Sequence, residues 1–256
     1  QEHKLDVPQP HPVQVLAITE LLTASAPAFR EYSEGAIALQ LKDDWQVASA
    51  HMEKAEAVDP TIAHAWLSLH NFYLLANQAQ RSMLPLQKAM DNRYRLPERI
   101  QYDLKVEDHI MRQDFDRAMM VAKQKIELYP NDIGSYLLLA TLQNMRNDRD
   151  GMIASYQKVL ELDPSQHERK RELGKLYEGK GDFDKAMTMY AQYAELFPTN
   201  EDVFLALGNL EQLRGKHDLA RTNIDKALSI ASSDVDAIVR MGALERDLGN
   251  FEAAGP

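Results

Sequence analysis

Cysteine is missing from all 256 residues. Its absence removes disulfides, thiolate nucleophiles and cysteine-held zinc together, and it leaves the cellular compartment open. Long apolar runs are missing too: no stretch approaches the roughly 18 consecutive apolar residues that a membrane-spanning helix needs. Positive charge is in deficit, with 29 basic residues against 39 acidic ones and a formal net charge of −10. The longest basic cluster is His167-Glu168-Arg169-Lys170-Arg171. The summed field therefore repels a phosphate backbone, and nucleic acid is not expected as a partner. No HExxH, GxSxG, P-loop or GxGxxG arrangement occurs, and the eight histidines are dispersed rather than set at ligand spacing. Asp148-Arg149-Asp150-Gly151 has the middle of a calcium loop, but Arg146 and Gln157 stand where its first and twelfth ligands would be, so the segment reads as a turn between helices. No metal, cofactor or catalytic residue is expected, and the chain is not expected to be an enzyme. Strand signals are absent as well.

Against these absences stands one strong regularity. Pro130, Pro164 and Pro198 are 34 residues apart, Ser232 holds the next place, and each closes a near-copy of one segment: DFDRAMMVAKQKIELYP, DGMIASYQKVLELDP, DFDKAMTMYAQYAELFP and KHDLARTNIDKALSIAS. A period of this length signals helical hairpins that pack on their neighbours. With the closing proline at place 32, units start at Phe29, Ala63, Arg99, Ile133, His167, Glu201 and Val235. The step from the second unit to the third is 36 residues, which places two extra residues in the Tyr94-Arg95-Leu96-Pro97 turn.

Within the units a small residue recurs at place 20, as Ala48, Ala118, Ala186, Ala220 and Ala254, with Ser82 and Met152 as exceptions. Apolar residues four and seven places on keep one face of the second helix apolar. First helices carry their own stripes: Trp66, Leu69 and Tyr73; Tyr136, Leu139 and Ala140; Leu173, Gly174 and Tyr177; Phe204, Leu207 and Gly208. Asn147, Gly181, Gly215 and Gly249 tolerate the left-handed backbone that ends a helix. Asp44, Asp114, Asp148, Asp182 and Asn250 are placed to accept hydrogen bonds from free amides of the next helix. Pro85 falls inside the second helix of the second unit, which is expected to kink or to start late. Lys105 and Val106 replace the usual Leu-Gly pair of the third unit. Met119, Met120, Met187 and Met189 are expected mainly as core.

An aromatic at place 4, Leu-Gly at 7 and 8, Tyr at 11, Ala at 20 and Pro at 32 resemble the tetratricopeptide repeat family. The resemblance covers residues 29–256. It implies an all-α, right-handed superhelical solenoid whose first helices line a concave face. The opening segment ELLTASAPAFREYSEGAIAL and the turn Leu96 to Arg99 resemble the tetratricopeptide arrays of bacterial multidomain signalling proteins. That narrower likeness implies, as an alternative function, a regulatory or sensory portion whose kinase, cyclase or DNA-binding effector lies elsewhere, in the bacterial cytoplasm or periplasm. Residues 1–12 read as a linker, residues 13–28 as a capping helix, and residues 29–256 as the array with its last unit truncated. Gln1 in place of Met, with that cut last unit, reads as a piece of a longer protein.

The family's ligands lie on places 2, 5, 9, 12 and 13 of the first helices. Carried over, the resemblance implies a groove holding a peptide or partner segment, formed by Leu67, Asn71, Glu107, Met111, Leu137, Thr141, Met145, Arg171, Lys175, Leu205, Asn209 and Arg240. Ile37, Leu41, Leu75, Glu178 and Leu213 lie on the same places. Family members that grip a C-terminal carboxylate use Lys, Asn, Asn, Lys and Arg. Arg171, Lys175 and Arg240 match three of these, whereas Ala206 and Asp236 do not, so a carboxylate clamp is not expected. The expected function is a non-catalytic protein-interaction scaffold. Self-association through Ile238, Met241 and Leu244 at the truncated edge is a further expectation.

Overall fold

The structure is a computed structural model, and it describes residues 23–42 and 44–250. These residues form helices joined by turns, with no strand among them. The chain divides into two compact units, residues 1–130 and residues 131–256. The first contains α1 (Ala26–Lys42), α2 (Trp45–Val58), α3 (Ala63–Leu75), α4 (Ala79–Asp91), a 3-10 turn (Arg93–Arg95), α5 (Glu98–Met111) and α6 (Phe115–Leu128). The second contains α7 (Ile133–Met145), α8 (Arg149–Leu162), α9 (Glu168–Gly179), α10 (Phe183–Leu196), α11 (Glu201–Leu213), α12 (His217–Ile230) and α13 (Val235–Asp247). Of the expected capping helix, residues 13–22 lie outside the described residues, as do the linker and Ala254.

The hairpin turn follows one recipe. At place 15 the backbone is left-handed: Asn77 (φ 56°), Gln113 (59°), Asn147 (56°), Gly181 (79°), Gly215 (71°) and Gly249 (80°). The next amide reaches back five residues to a carbonyl of the first helix, as in Gln78 to Tyr73 (2.7 Å), Asp148 to Gln143 (2.8 Å) and Lys216 to Glu211 (2.9 Å). The place-15 amide bonds inside that loop, as in Asn77 to Leu74 (2.9 Å). These are the nested bonds of a Schellman motif, which satisfy carbonyls that the helix end leaves free. Gln113 was not foreseen, because nothing in glutamine favours this conformation. Asp44, Asp114 and Asp148 then accept from the amides of Val47 (3.0 Å), Arg117 (3.2 Å) and Gly151 (2.9 Å). Asp182 does not cap α10; its carboxylate takes the Lys185 ammonium at 3.3 Å instead.

Second helices pack through place 20, where Ala48, Ser82, Ala118, Ala186 and Ala220 are all fully enclosed. In the hairpin with Met152 the close approach moves back one residue. A Cβ on Gly151 would fall 2.6 Å from Gln143 Nε2, and the buried Gln143 side chain fills that gap beside Ser155. At the aromatic place, Trp66 is enclosed and its indole N–H donates to the Pro60 carbonyl at 2.8 Å. The proline that closes one hairpin thus anchors the next.

Three local features differ from expectation or refine it. α4 begins on the same place as the other second helices and runs unbroken through Pro85, so the late start is not seen. The two extra residues wind into Arg93–Arg95 and bring Leu96 into the core. Leu104 and Val106, fully enclosed, take over the packing of the absent Leu-Gly pair.

The first hairpin is one residue out of the common count. A Cβ on Gly35 would lie 3.0 Å from the Ala48 carbonyl and 3.0 Å from the Met52 side chain. On Gly208 it would meet Ala220 O at 3.2 Å and Ile224 at 2.7 Å. Gly35 is therefore the counterpart of Gly208, although it is counted at place 7. Consistently, the Asp44 amide reaches back six residues, to Ala38 O at 3.1 Å, rather than five.

Candidate functional site

The first helices divide their residues between core and surface, and the expected groove residues fall on both sides of that division. In the first unit, Leu67 and Met111 are half-buried and pack against the core of Trp66, Leu69, Leu86 and Leu104. Asn71 is exposed. Leu75, in the last turn of α3, is 82% exposed. Glu107 is half-buried and sets Oε1 3.6 Å from Nε2 of His70. His70 is completely enclosed, and its Nδ1 lies 3.0 Å from the Ser82 carbonyl. A carbonyl only accepts, so the proton sits on Nδ1.

In the second unit, Leu137 is half-buried, and its carbonyl accepts from the Thr141 hydroxyl at 3.0 Å. Met145 and Leu213 are 52% and 68% exposed. Leu205 is half-buried against Ala220, Ile224 and Leu244. Asn209 is half-buried, and its Oδ1 is shielded from solvent with no protein partner. Arg240 is exposed.

Arg171 and Lys175 are already engaged on their own helix. The Arg171 guanidinium lies 3.0 Å from Glu168 and 3.6 Å from Glu172, with Tyr193 beneath it at 5.9 Å. Lys175 lies 3.7 Å from the same Glu172. An incoming carboxylate would have to compete with these pairs. Glu178 accepts from the Tyr190 hydroxyl at 2.9 Å. Burial, reinforced by that carboxylate, holds the Tyr190 phenol far above its ordinary range. Burial and then Glu168 push Tyr193 up to about 12.

Two cavities of about 370 Å³ in the second unit lie mainly on second helices and hairpin turns. One is lined by Gly181, Asp182, Phe183, Asp184, Lys185 and Arg214. Its charges are paired, Arg214 with Asp184 at 2.8 Å and Lys185 with Asp182 at 3.3 Å. The segment resembling a calcium loop is the α8 cap, and Arg149 and Asp150 bond to Gly179 O and to Lys180. Met187 and Met189 pack on the core, as expected, whereas Met120 is 52% exposed.

Helical hairpins repeated along the chain define the class, an α-solenoid fold. Residues 172–200 match the family model of the tetratricopeptide repeat, and the solved structures this chain resembles carry the same fold. A tetratricopeptide repeat protein from Parabacteroides merdae superposes with a TM-score of 0.60 at 12% identity, over 90% of each chain. YrrB, described as a TPR protein with an unusual peptide-binding site, gives 0.57 at 17% identity, over 75% of this chain and 97% of its own. MamA gives 0.52 at 22% identity, over 58% of this chain and 87% of its own. The chain thus carries a tetratricopeptide repeat at residues 172–200 and shares the fold of tetratricopeptide-repeat structures. None of the curated proteins matches it.

Proposed function

We propose that this chain is a non-catalytic scaffold that holds a peptide or a partner's segment against the free sides of its first helices. One observation carries the reading. Leu75 in the first unit and Met145 and Leu213 in the second share place 13, and each large apolar side chain is more than half exposed although apolar positions one turn earlier are enclosed. Single exposed leucines are ordinary, but a large apolar side chain left exposed at the same place of several repeats gives each unit its own apolar contact position. Asn71 and Asn209, also on this side, supply amides that can meet a peptide backbone. Because the hairpins are rigid, the surface is formed before the ligand arrives, which lowers the ordering cost of binding. Proteins of this fold are generally non-catalytic scaffolds, and the peptide-binding site named for YrrB supports the same use here.

The test is a peptide-display selection on the whole chain, followed by affinity measurement on variants. Leu75→Asp, Leu213→Asp and the pair Asn71→Ala with Asn209→Ala should weaken the selected peptides at least tenfold. Leu219→Asp, an exposed second-helix position, should leave them unchanged. Peptides that bind all four variants equally well would remove the reading.

A further inference from the structure

Most charged side chains on the first helices are matched from within the chain. Arg171 and Lys175 lie against Glu168 and Glu172. On α5, Asp103 takes the buried Lys125 ammonium at 2.5 Å and Asp108 takes Arg112 at 2.9 Å. Glu107, on the same helix, is not matched in this way: among the described residues neither lysine nor arginine pairs with it, and α3 beside it contains neither. What stands against it is Nε2 of His70, 3.6 Å from Oε1 and beyond hydrogen-bond reach. The Nδ1 proton is committed to the Ser82 carbonyl, so in the neutral ring Nε2 is an acceptor. It is shielded from solvent and has no hydrogen-bond partner. Two acceptors therefore face each other with no donor between them.

We propose that this site takes a basic side chain, arginine or lysine, of the bound peptide. The proposal rests on the scaffold reading above and names the residue class that the first unit selects. The Nε2 lone pair and the carboxylate add their negative potential at one half-buried point, where water screens a charge less than at the open surface. Such a point attracts a cation, and the N–H groups of a guanidinium or ammonium supply the missing donors. The Glu107 side chain is 28% exposed, so its carboxylate can be reached from the free side of α5, whereas His70 behind it cannot. The surroundings suit the stem of such a side chain as well as its head. Glu107 stands at place 9, as Asn71 does on α3, and place 13 follows one turn later with Met111 and Leu75. The aliphatic stem lies along these two apolar residues while the charged head meets Glu107, and the Asn71 amide oxygen can accept from the same head. The net charge of −10 draws a cationic segment toward the chain from a distance.

Display selection on the whole chain should return peptides that share a basic residue. In one such peptide, replacing arginine by citrulline, or lysine by norleucine, removes the charge at nearly the same length. At about pH 8, where an ordinary imidazole is neutral, that replacement should weaken binding to the unaltered chain about fivefold or more. Against Glu107→Gln the same replacement should change binding by less than about twofold. Glu107→Gln should also hold the neutral peptide as well as the unaltered chain does, which shows that the variant is folded. Glu107→Lys should reverse the preference and select peptides with an acidic residue. Selected peptides without a basic residue, or an equal loss on neutral replacement in the unaltered chain and in Glu107→Gln, would overturn the proposal. If those peptides are still weakened by Leu75→Asp, the scaffold reading stands without the basic side chain; if they are not, both fall.

Discussion

Leu69 and Leu75 lie on the same helix, six residues apart, and replacing each with alanine separates core from presented surface without changing the chemistry of the substitution. Leu69 is 2% exposed among Trp66, Phe72 and Leu86. Leu69→Ala removes three carbons worth about 0.8 kcal/mol each in transfer free energy. The cavity left behind adds about 24 cal/mol per Å³ that does not collapse, so the expected loss is about 3 to 4 kcal/mol. Leu75 is 82% exposed. The fifth or so of its side chain that folding shields is worth about 0.5 kcal/mol at most, and the better helix propensity of alanine offsets part of that. Trp45 and Trp66, the chain's two tryptophans, both lie in the first unit, so intrinsic fluorescence during urea unfolding reports this unit. The midpoint should fall markedly for Leu69→Ala and hardly move for Leu75→Ala, with peptide binding showing the reverse order. Similar losses of stability in the two variants would refute the division of the helix into an enclosed and a presented side.

Three further outcomes follow. Asp148→Ala, which removes the carboxylate that caps α8, should cost about 1 kcal/mol, whereas Asp182→Ala should cost clearly less because that carboxylate holds no amide; paired thermal melts distinguish them. Gln113→Gly relieves a left-handed glutamine and should raise stability by about 0.5 to 1 kcal/mol net of the unfolded chain's added freedom, so a lowered urea midpoint would contradict it. Burial lowers the His64 pKa. The folded state therefore favours the neutral ring, and its contribution, complete above the unfolded value of about 6.5, is lost as pH falls through the lower folded value. His64→Phe should flatten the decline in stability below about pH 6.5, measured by urea titration at several pH values.

The period in proline and alanine was enough to place the second helices and the left-handed turns at Asn147, Gly181, Gly215 and Gly249, because those positions depend on contacts within one hairpin. What escaped the count depended on neighbours. The proline series measures the connection between hairpins and is blind to the turn inside one, so it did not reveal that α1 is displaced by a residue. Asp182 carries the same local signal as Asp148, and only the competing Lys185 ammonium separates their roles. For the groove, places 5, 9 and 13 name a side of the helix, but Leu67, Met111 and Leu205 are drawn half into the core by the hairpins around them. Leu75 and Leu213 have no such cover. Gln143 was passed over entirely: its signal was a glycine one residue before the exceptional Met152.

The two ends of a hairpin tolerate change differently. At the inner turn, asparagine, glutamine and glycine all accept one left-handed residue, which means that the bonded loop, rather than the residue type, dictates the path. At the opposite end, two additional residues between Asn92 and Pro97 coil into a single turn while Leu96 still reaches the interior. The inner turn of the first hairpin absorbs a single extra residue, whereas the connection at Arg93–Arg95 takes up two and still delivers Leu96 to the core. An epitope or reporter sequence grafted between Arg93 and Arg95 should leave the fold intact, whereas the same graft beside Gly181 or Gly215 should not.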